Sequence, residues 1–202
     1  MAERRAFIFG AGGHARVVAS LLPAAEVTFI VGDPAAERQL AEDRFFAEID
    51  AYRAVDVYLG IGANAARRRV LDRLRAAGVT PATCVAPTAF VARTASLGAG
   101  VVICPGSAVM AGARLGDAVI VNTLSGVDHD CVVGDDTQIT VGVTLAGEVT
   151  LGRNCFLGMK SAVFPRVAIG DNVVVMAGAL VTKPVAANSM VGGSPARRVR
   201  SL

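Results

Sequence analysis

At 202 residues, 53% of them hydrophobic, the chain can bury one large core or two modest ones. A formal net charge of +3 is too small to imply a polyanionic partner, so nucleic acid is not expected. No apolar run reaches the ~18 residues of a membrane span, and the opening Met-Ala-Glu-Arg-Arg leads into a strand pattern and not into a signal-peptide core; a cytoplasmic location without membrane contact is the expectation.

Arg5 to Phe9 reads as a short apolar strand that runs into Gly10-Ala11-Gly12-Gly13-His14-Ala15, followed by the helical pattern Val17, Val18, Leu21, Leu22. A strand, a glycine turn and a helix N-terminus together make an anion site, because unpaired backbone N–H groups and the helix dipole face whatever sits there. Val27 to Val31 reads as a second strand ending at Gly32-Asp33-Pro34, and Val55 to Ile61 as a third ending at Gly62-Ala63-Asn64. Between them Glu42 to Arg53 reads as short helix and loop, and Ala65 to Ala77 as a basic amphipathic helix stopped by Gly78. The three strand ends converge on one edge, the usual ligand crevice of an open α/β sheet. The loop fits the dinucleotide fingerprint in its G-x-G-x-x-A form, with Asp33 near the expected acidic position. About 80 residues make only one mononucleotide-binding half, so a nucleotide joined to something smaller than a second nucleotide fits better than NAD. The plainer alternative is a tight strand-to-helix turn with no ligand. Residues 1–80 are thus expected to form a small half-Rossmann-like α/β domain. Thr80 to Phe90 reads as a connecting strand, with Pro81 and Pro87 marking the passage into residues 81–202.

From Val91 to Val181 every sixth residue is aliphatic, and four residues after each comes a small side chain, Ala, Ser, Thr, Cys or Val, without a miss. A period of six suits neither a 3.6-residue helix nor hairpins; it is the period of a parallel β-helix, each hexad one short strand and a corner, three hexads to a coil and about five coils. The aliphatic residue is expected to fill the interior and the small one to let the chain turn. Glycines at the second hexad position (Gly98, Gly116, Gly134, Gly152, Gly158, Gly170) are expected at corners that need unusual φ/ψ. The four cysteines lack metal or disulfide spacing and read as packing residues.

The solenoid holds one histidine, His129, in Val127-Asp128-His129-Asp130-Cys131. As the third residue of its hexad it belongs at a corner, and a carboxylate on each side would fix its tautomer and raise its basicity, as a general base requires. An ordinary surface histidine is the alternative. His14 is the only other histidine, so a three-histidine zinc site is excluded and no metal is expected.

The repeat resembles the left-handed β-helix of the hexapeptide-repeat acyltransferases, and the resemblance implies the handedness, a homotrimer and acetyl-CoA. Four motifs narrow it: Gly10-Ala-Gly-Gly-His14, Ile61-Gly-Ala-Asn-Ala-Ala-Arg67, Val127-Asp-His-Asp-Cys131 and Val191-Gly-Gly-Ser-Pro-Ala-Arg197. Together they are similar to the acetyltransferases of nucleotide-linked amino sugars, of the type that makes UDP-N-acetylbacillosamine. Relatives act on GDP- or dTDP-linked 4-amino sugars or are described as sialic-acid O-acetyltransferases.

The resemblance implies His129 as the base, tuned by Asp130. It implies a nucleotide-sugar site at Gly12, Gly13, His14, Gly32, Asp33 and Gly62. For acetyl-CoA it implies Gly147, whose backbone N–H would face the thioester oxygen, and Met159, Ala177 and Gly178 along the pantetheine arm. Gln138 stands where relatives often carry a second histidine on the acetyl-CoA side; it can donate a hydrogen bond but cannot titrate. Gly32 replaces a frequent acidic residue before Asp33. Arg197, Arg198 and Arg200 are candidates for the 3′-phosphate of CoA, with a solvated basic tail as the alternative. The function implied is N-acetylation of a nucleotide-linked 4-amino-deoxy sugar at sites between subunits of the trimer. O-acetylation of a sialic acid, or a non-catalytic trimeric scaffold that senses a nucleotide, are the competing readings.

Overall fold

In the computed structural model, which describes residues 4–23 and 25–202, the chain divides into two units, Met1–Cys84 and Val85–Leu202. Met1–Glu3, read above as the lead into the first strand, lie outside the described residues. Among the described residues no helix is long and apolar enough to cross a membrane.

The first unit is built from β1 (Arg4–Phe9), α1 (Gly13–Leu21), β2 (Ala25–Val31), β3 (Gln39–Ala41), α2 (Glu42–Ala47), β4 (Asp56–Leu59) and α3 (Asn64–Ala76). Its sheet is parallel in the order β3-β2-β1-β4, so the order reverses beside β1. β3 was not anticipated, because so short a strand cannot show a period of two. Apolar side chains of β1 meet a ring cluster: Phe45 packs edge-on against Phe7 and Phe9 at centroid distances of 5.3 and 5.2 Å, and stacks on Tyr52 at 5.5 Å. At the end of β4 the chain comes so close to α1 that a Cβ on Gly60 would stand 2.8 Å from the Cα of Ala15, itself fully buried. This is why the third fingerprint position carries a residue as small as alanine. The expected connecting strand over 80–90 is extended only at Cys84–Val85 and Phe90–Val91. Pro81 and Pro87 supply no backbone donor to a continuous ladder.

The second unit is a left-handed parallel β-helix. One wall comprises Phe90–Val91, Ala108–Val109, Gly126–Val127, Thr144–Leu145, Ala162–Val163 and Leu180–Val181; the second runs from Ser96–Leu97 to Ala168–Ile169, and the third includes Val102–Ile103, Ile120–Val121, Gln138–Ile139 and Phe156–Leu157. Each strand pairs with the one three hexads on, as Gly126 with Thr144 and Val127 with Leu145. Three hexads therefore close one coil. The corners are named here after the wall they follow: 128–131 and 146–149 lie on the first, 134–137 and 152–155 on the second, 140–143 and 158–161 on the third.

Two expectations about the hexad are corrected. The small fifth-position residues do not make the turn: Val101, Ala113, Val119, Cys131, Val149 and Cys155 lie in the same buried core as the aliphatic first position. The turn is made by the fourth position, where every sixth residue from Gly100 to Gly178 has φ between +54° and +71°. Many of these are not glycine, and a left-handed L-residue costs roughly 1–2 kcal/mol. The compensation is a hydrogen bond to the coil beneath, as from Asp130 N–H to Ala111 O (2.9 Å), Glu148 N–H to His129 O (2.9 Å) and Arg166 N–H to Gly147 O (3.0 Å). The second-position glycines, in turn, have no left-handed φ. They are required by stacking: a Cβ on Gly134 would lie 2.6 Å from the carbonyl carbon of Gly152 and 2.7 Å from the nitrogen of Arg153.

Several polar fifth positions also point inward and are satisfied by the following hexads: Ser125 Oγ donates to Thr140 O (2.7 Å), Thr137 Oγ1 to Gly152 O (2.9 Å) and Cys131 Sγ to Ala146 O (3.2 Å), whereas the buried Ser161 Oγ has no partner among the described residues. All four cysteines are buried, and burial pushes the Cys84 thiol up to about 11, which makes it inert.

Because the obstacle at Gly134 is backbone, which cannot swing aside, Gly134→Ala should destabilise the protein by about 1–3 kcal/mol. Denaturant unfolding should show a lower midpoint at unchanged slope. A midpoint equal to the parent's would mean that the wall spreads at no cost.

Candidate functional site

In the first unit, the loops after β1, β2 and β4 leave from one edge of the parallel sheet, and the loops after β1 and β4 flank the position where the strand order reverses. Gly12 and Gly13 open α1, His14 sits in its first turn, Gly32 and Asp33 follow β2, and Gly62 follows β4. A Cβ placed on Gly12, Gly13, Gly32 or Gly62 would meet nothing within 4 Å. Neither torsion nor packing asks for glycine there; the four leave open backbone along the edge. Gly10, with φ +96°, is by contrast glycine for its torsion. The N-caps of α1 and α3 are Gly12 and Ala63, neither with a side-chain capping bond, so the first-turn N–H groups of both helices lack a side-chain acceptor from the cap residue.

His14 is largely buried, and its Nε2 has no hydrogen-bond partner among the described residues. Burial, reinforced by the nearby Arg67 guanidinium, lowers its pKa to about 4, so the imidazole is neutral at pH 7. Arg67 is wholly buried. Its Nη1 donates to the carbonyls of Ile61 (3.1 Å) and Gly62 (2.9 Å), and its Nη2 to Asn64 Oδ1 (2.9 Å).

In the second unit, His129 lies on the first corner, with Asp128 and Asp130 on either side. Its backbone N–H donates to Asp128 Oδ1 at 2.7 Å, and its Nδ1 meets Asp130 Oδ2 at 2.9 Å. The left-handed turn at Asp130, φ +58°, brings that carboxylate round to the ring. A carboxylate on Nδ1 assigns the proton to that nitrogen and leaves Nε2 as the basic lone pair. The hydrogen bond that His129 donates to Asp130 raises the pKa of the ring above the ordinary 6.5; partial desolvation opposes it, and the charges of Asp128, Asp130 and Glu148 add to it. Glu148 is held by Arg166 at 3.0 Å. Gly147 is the residue one coil above His129, and the ring leans across it: a Cβ there would lie 2.6 Å from Cε1 and closer still to Nε2.

The remaining acetyl-CoA candidates are elsewhere on the same chain. Gln138 faces outward from the third wall, paired with Ile120 and Phe156. Met159, Ala177 and Gly178 stack on the third corner, Met159 with 58% exposure. One chain therefore brings together His129, Asp130 and Gly147 and does not bring Gln138, Met159, Ala177 or Gly178 to them. Arg197 and Arg198 line a cavity of about 390 Å³ at the C-terminal end of the solenoid with Lys183 and Ser189; Arg200 is not among its lining. Lys183 stands in the same stacked column as His129 and Gly147. Sequence reasoning assigned no role to Glu148, Arg166 or Arg67. The first two sit one coil above Asp130 and Glu148 respectively, a signal that was available in the repeat. Among the described residues no three His, Cys, Asp or Glu side chains form a metal-binding group.

Comparison with known proteins bears on both units. Residues 5–74 match the PglD N-terminal domain model, and residues 148–183 the hexapeptide repeat of succinyl-transferase. The structure is similar to the acetyltransferase domain of PglB from Neisseria gonorrhoeae, with a TM-score of 0.89, 28% identity and coverage of 98% of this chain and 100% of that one. It is also similar to PerB from Caulobacter crescentus, solved in complex with CoA and GDP-perosamine, with a TM-score of 0.91, 30% identity and coverage of 97% of each chain. Galactoside O-acetyltransferase of Escherichia coli is 32% identical over 93 residues, 37% of this chain and 46% of its own, so the chain spans less than half of that curated relative. Likeness along nearly the whole of two solved chains, in both units at once, places it: the chain belongs to the hexapeptide-repeat, left-handed β-helix family of nucleotide-sugar N-acetyltransferases.

Proposed function

We propose that the chain transfers the acetyl group of acetyl-CoA to the amine of a nucleotide-linked 4-amino-deoxy sugar. The observation that carries this is the pairing on the first corner: an imidazole whose Nδ1 is held by Asp130 and whose Nε2 projects beside the backbone of Gly147. The amine nitrogen attacks the thioester carbonyl, and Nε2 of His129 takes the proton that nitrogen sheds. The carbonyl oxygen becomes an oxyanion, for which the Gly147 N–H is the donor; one such donor is typically worth ~3 kcal/mol. The tetrahedral species collapses with loss of the CoA thiolate, which recovers the proton from the imidazolium. No covalent enzyme intermediate forms.

The separation of candidate residues supports a homotrimer. His129 and Gly147 occupy the first corner, Met159, Ala177 and Gly178 the third, and a threefold axis parallel to the solenoid brings the first corner of one chain to another corner of its neighbour. Acetyl-CoA would lie in that groove, its thioester at His129 and its phosphates toward Lys183, Arg197 and Arg198. The crevice of the first unit, with its open glycines, is the place for the nucleotide. Relatives solved with CoA and GDP-perosamine and with acetyl coenzyme A support the same assignment of ligands. A cytoplasmic location, where acetyl-CoA and sugar nucleotides are made, belongs to this reading.

A thiol-release assay with acetyl-CoA and UDP-, GDP- or dTDP-linked 4-amino sugars tests it directly. Thiol should appear with one of the amines and not with the corresponding 4-hydroxy sugars. Release with the hydroxy sugars alone would indicate an O-acetyltransferase, and none with any acceptor a non-catalytic protein.

His129→Ala should lower turnover by ~10²–10⁴ with the fold intact by circular dichroism. The base must be neutral to accept a proton, and its pKa is raised, so kcat/KM should climb with pH and level off only above 6.5. Removing the carboxylate in Asp130→Asn should lower the plateau and move the rise to lower pH. The substrate amine contributes its own titration to both enzymes, so the difference between the two profiles reports His129. An unshifted profile in Asp130→Asn would remove the pairing from the mechanism.

Gly147→Ala places a methyl group in the space of the imidazole, which must rotate away. The expected loss of turnover is about 10²-fold, on the order of what a 1 Å misplacement costs, with thermal stability near the parent's because the ring is exposed and free to move.

A further inference from the structure

Arg67 is a wholly buried cation in the loop-and-helix segment after β4, and its acceptors include oxygens of the turn it serves: the Ile61 and Gly62 carbonyls and Asn64 Oδ1. Burying a guanidinium is expensive unless its donors are satisfied, and a lysine would match this fork of acceptors poorly. In a trans peptide the C=O and N–H point in opposite directions. Drawing the Ile61 and Gly62 carbonyls onto the guanidinium therefore turns the N–H groups of Gly62 and Ala63 the other way. A Cβ at Gly62 would meet nothing within 4 Å, and His14 Nε2 lies buried without a partner among the described residues. The charge reaches that far, since Arg67 is one cause of the depressed pKa of His14.

Resting on the reading of the crevice as a nucleotide-sugar site, we propose that Arg67 is its positioning residue: the guanidinium holds the Ile61–Asn64 turn from beneath and so presents the Gly62 and Ala63 N–H groups, over a fixed positive charge, to the diphosphate of the substrate. The anion meets backbone donors and a neutral imidazole, with the cation shielded from water behind them. That arrangement retains more of the electrostatic attraction than a surface arginine does, because the charge is screened less.

The test compares the full-length parent with Arg67→Lys and Arg67→Met. Calorimetric titration with UDP, GDP and dTDP, in the absence of acetyl-CoA and of any amino sugar, should give a dissociation constant weakened at least about tenfold in both variants for the nucleotide that the parent binds. In the acetyl-transfer assay the KM for the sugar nucleotide should rise by a similar factor, while kcat at saturation and the KM for acetyl-CoA stay at the parent's values. The His14 ring, followed by NMR, should titrate at higher pH in Arg67→Met than in the parent. Unchanged nucleotide affinity in a folded variant would overturn the proposal, as would a parent that binds none of the three. Loss of folding in both variants, or an equal loss in kcat and in both KM values, would overturn it too, because the arginine would then serve the fold alone. A parent that binds nucleotide yet never consumes acetyl-CoA would sink the transferase reading and leave the calorimetric test of Arg67 intact.

Discussion

The structure of the second unit depends on one repeated hydrogen bond, made from Ala118 to Gly178 by the N–H of the left-handed fourth residue of the hexad to the carbonyl of the third residue one coil below. That bond fixes the register at three hexads per coil and so stacks like positions into straight columns. It also explains why residues as ill-suited to positive φ as Leu124, Lys160 and Arg166 are tolerated at the corner. Tight stacking then imposes its own demand, the second-position glycines, whose missing Cβ is the room that the next coil occupies.

A column of identical environments does not stay identical once side chains are chosen. On the second corner three carboxylates accept from the backbone one coil away: Asp117 Oδ1 from Ala99 N–H at 2.6 Å, Asp135 Oδ1 from Asp117 N–H at 2.9 Å and Asp171 Oδ1 from Arg153 N–H at 2.8 Å. On the first corner Asp130 accepts from a side chain, the His129 ring. The third corner has neither arrangement; Val141 and Met159 stand exposed there. Three corners of one prism thus carry a structural ladder, a titratable pair and an apolar ridge.

The two histidines show how the same side chain is set to opposite tasks. His129 is half exposed and surrounded by carboxylates, which favour its charged form and make Nε2 more basic. His14 is buried beside a cation, and both influences favour the neutral form. The former can exchange a proton near neutral pH. The latter cannot, and its neutral ring can act only through hydrogen bonding.

The six-residue period by itself determined the solenoid, its three hexads per coil and the placement of His129 at a corner, because a strictly repeating structure writes the same constraint into every hexad. It determined more than was read from it: positions 129 and 147 share one phase of the three-hexad coil, while 159 and 177 share another, so the division of candidate residues between corners was already legible. In the first unit the glycine turn and the convergence of strand ends were legible for the same reason, local pattern expressing local geometry. The tertiary structure alone decided what no period encodes. Which hexad position bears the left-handed torsion, and that the second-position glycines answer to stacking, follow from contacts between successive coils. β3 exists because a neighbouring strand accepts a segment too short to declare itself. The neutrality of His14 depends first on its burial and then on a guanidinium that lies far along the chain from it, the same group that draws in the Ile61 and Gly62 carbonyls, and burial and Coulomb fields act through space, where sequence order is silent.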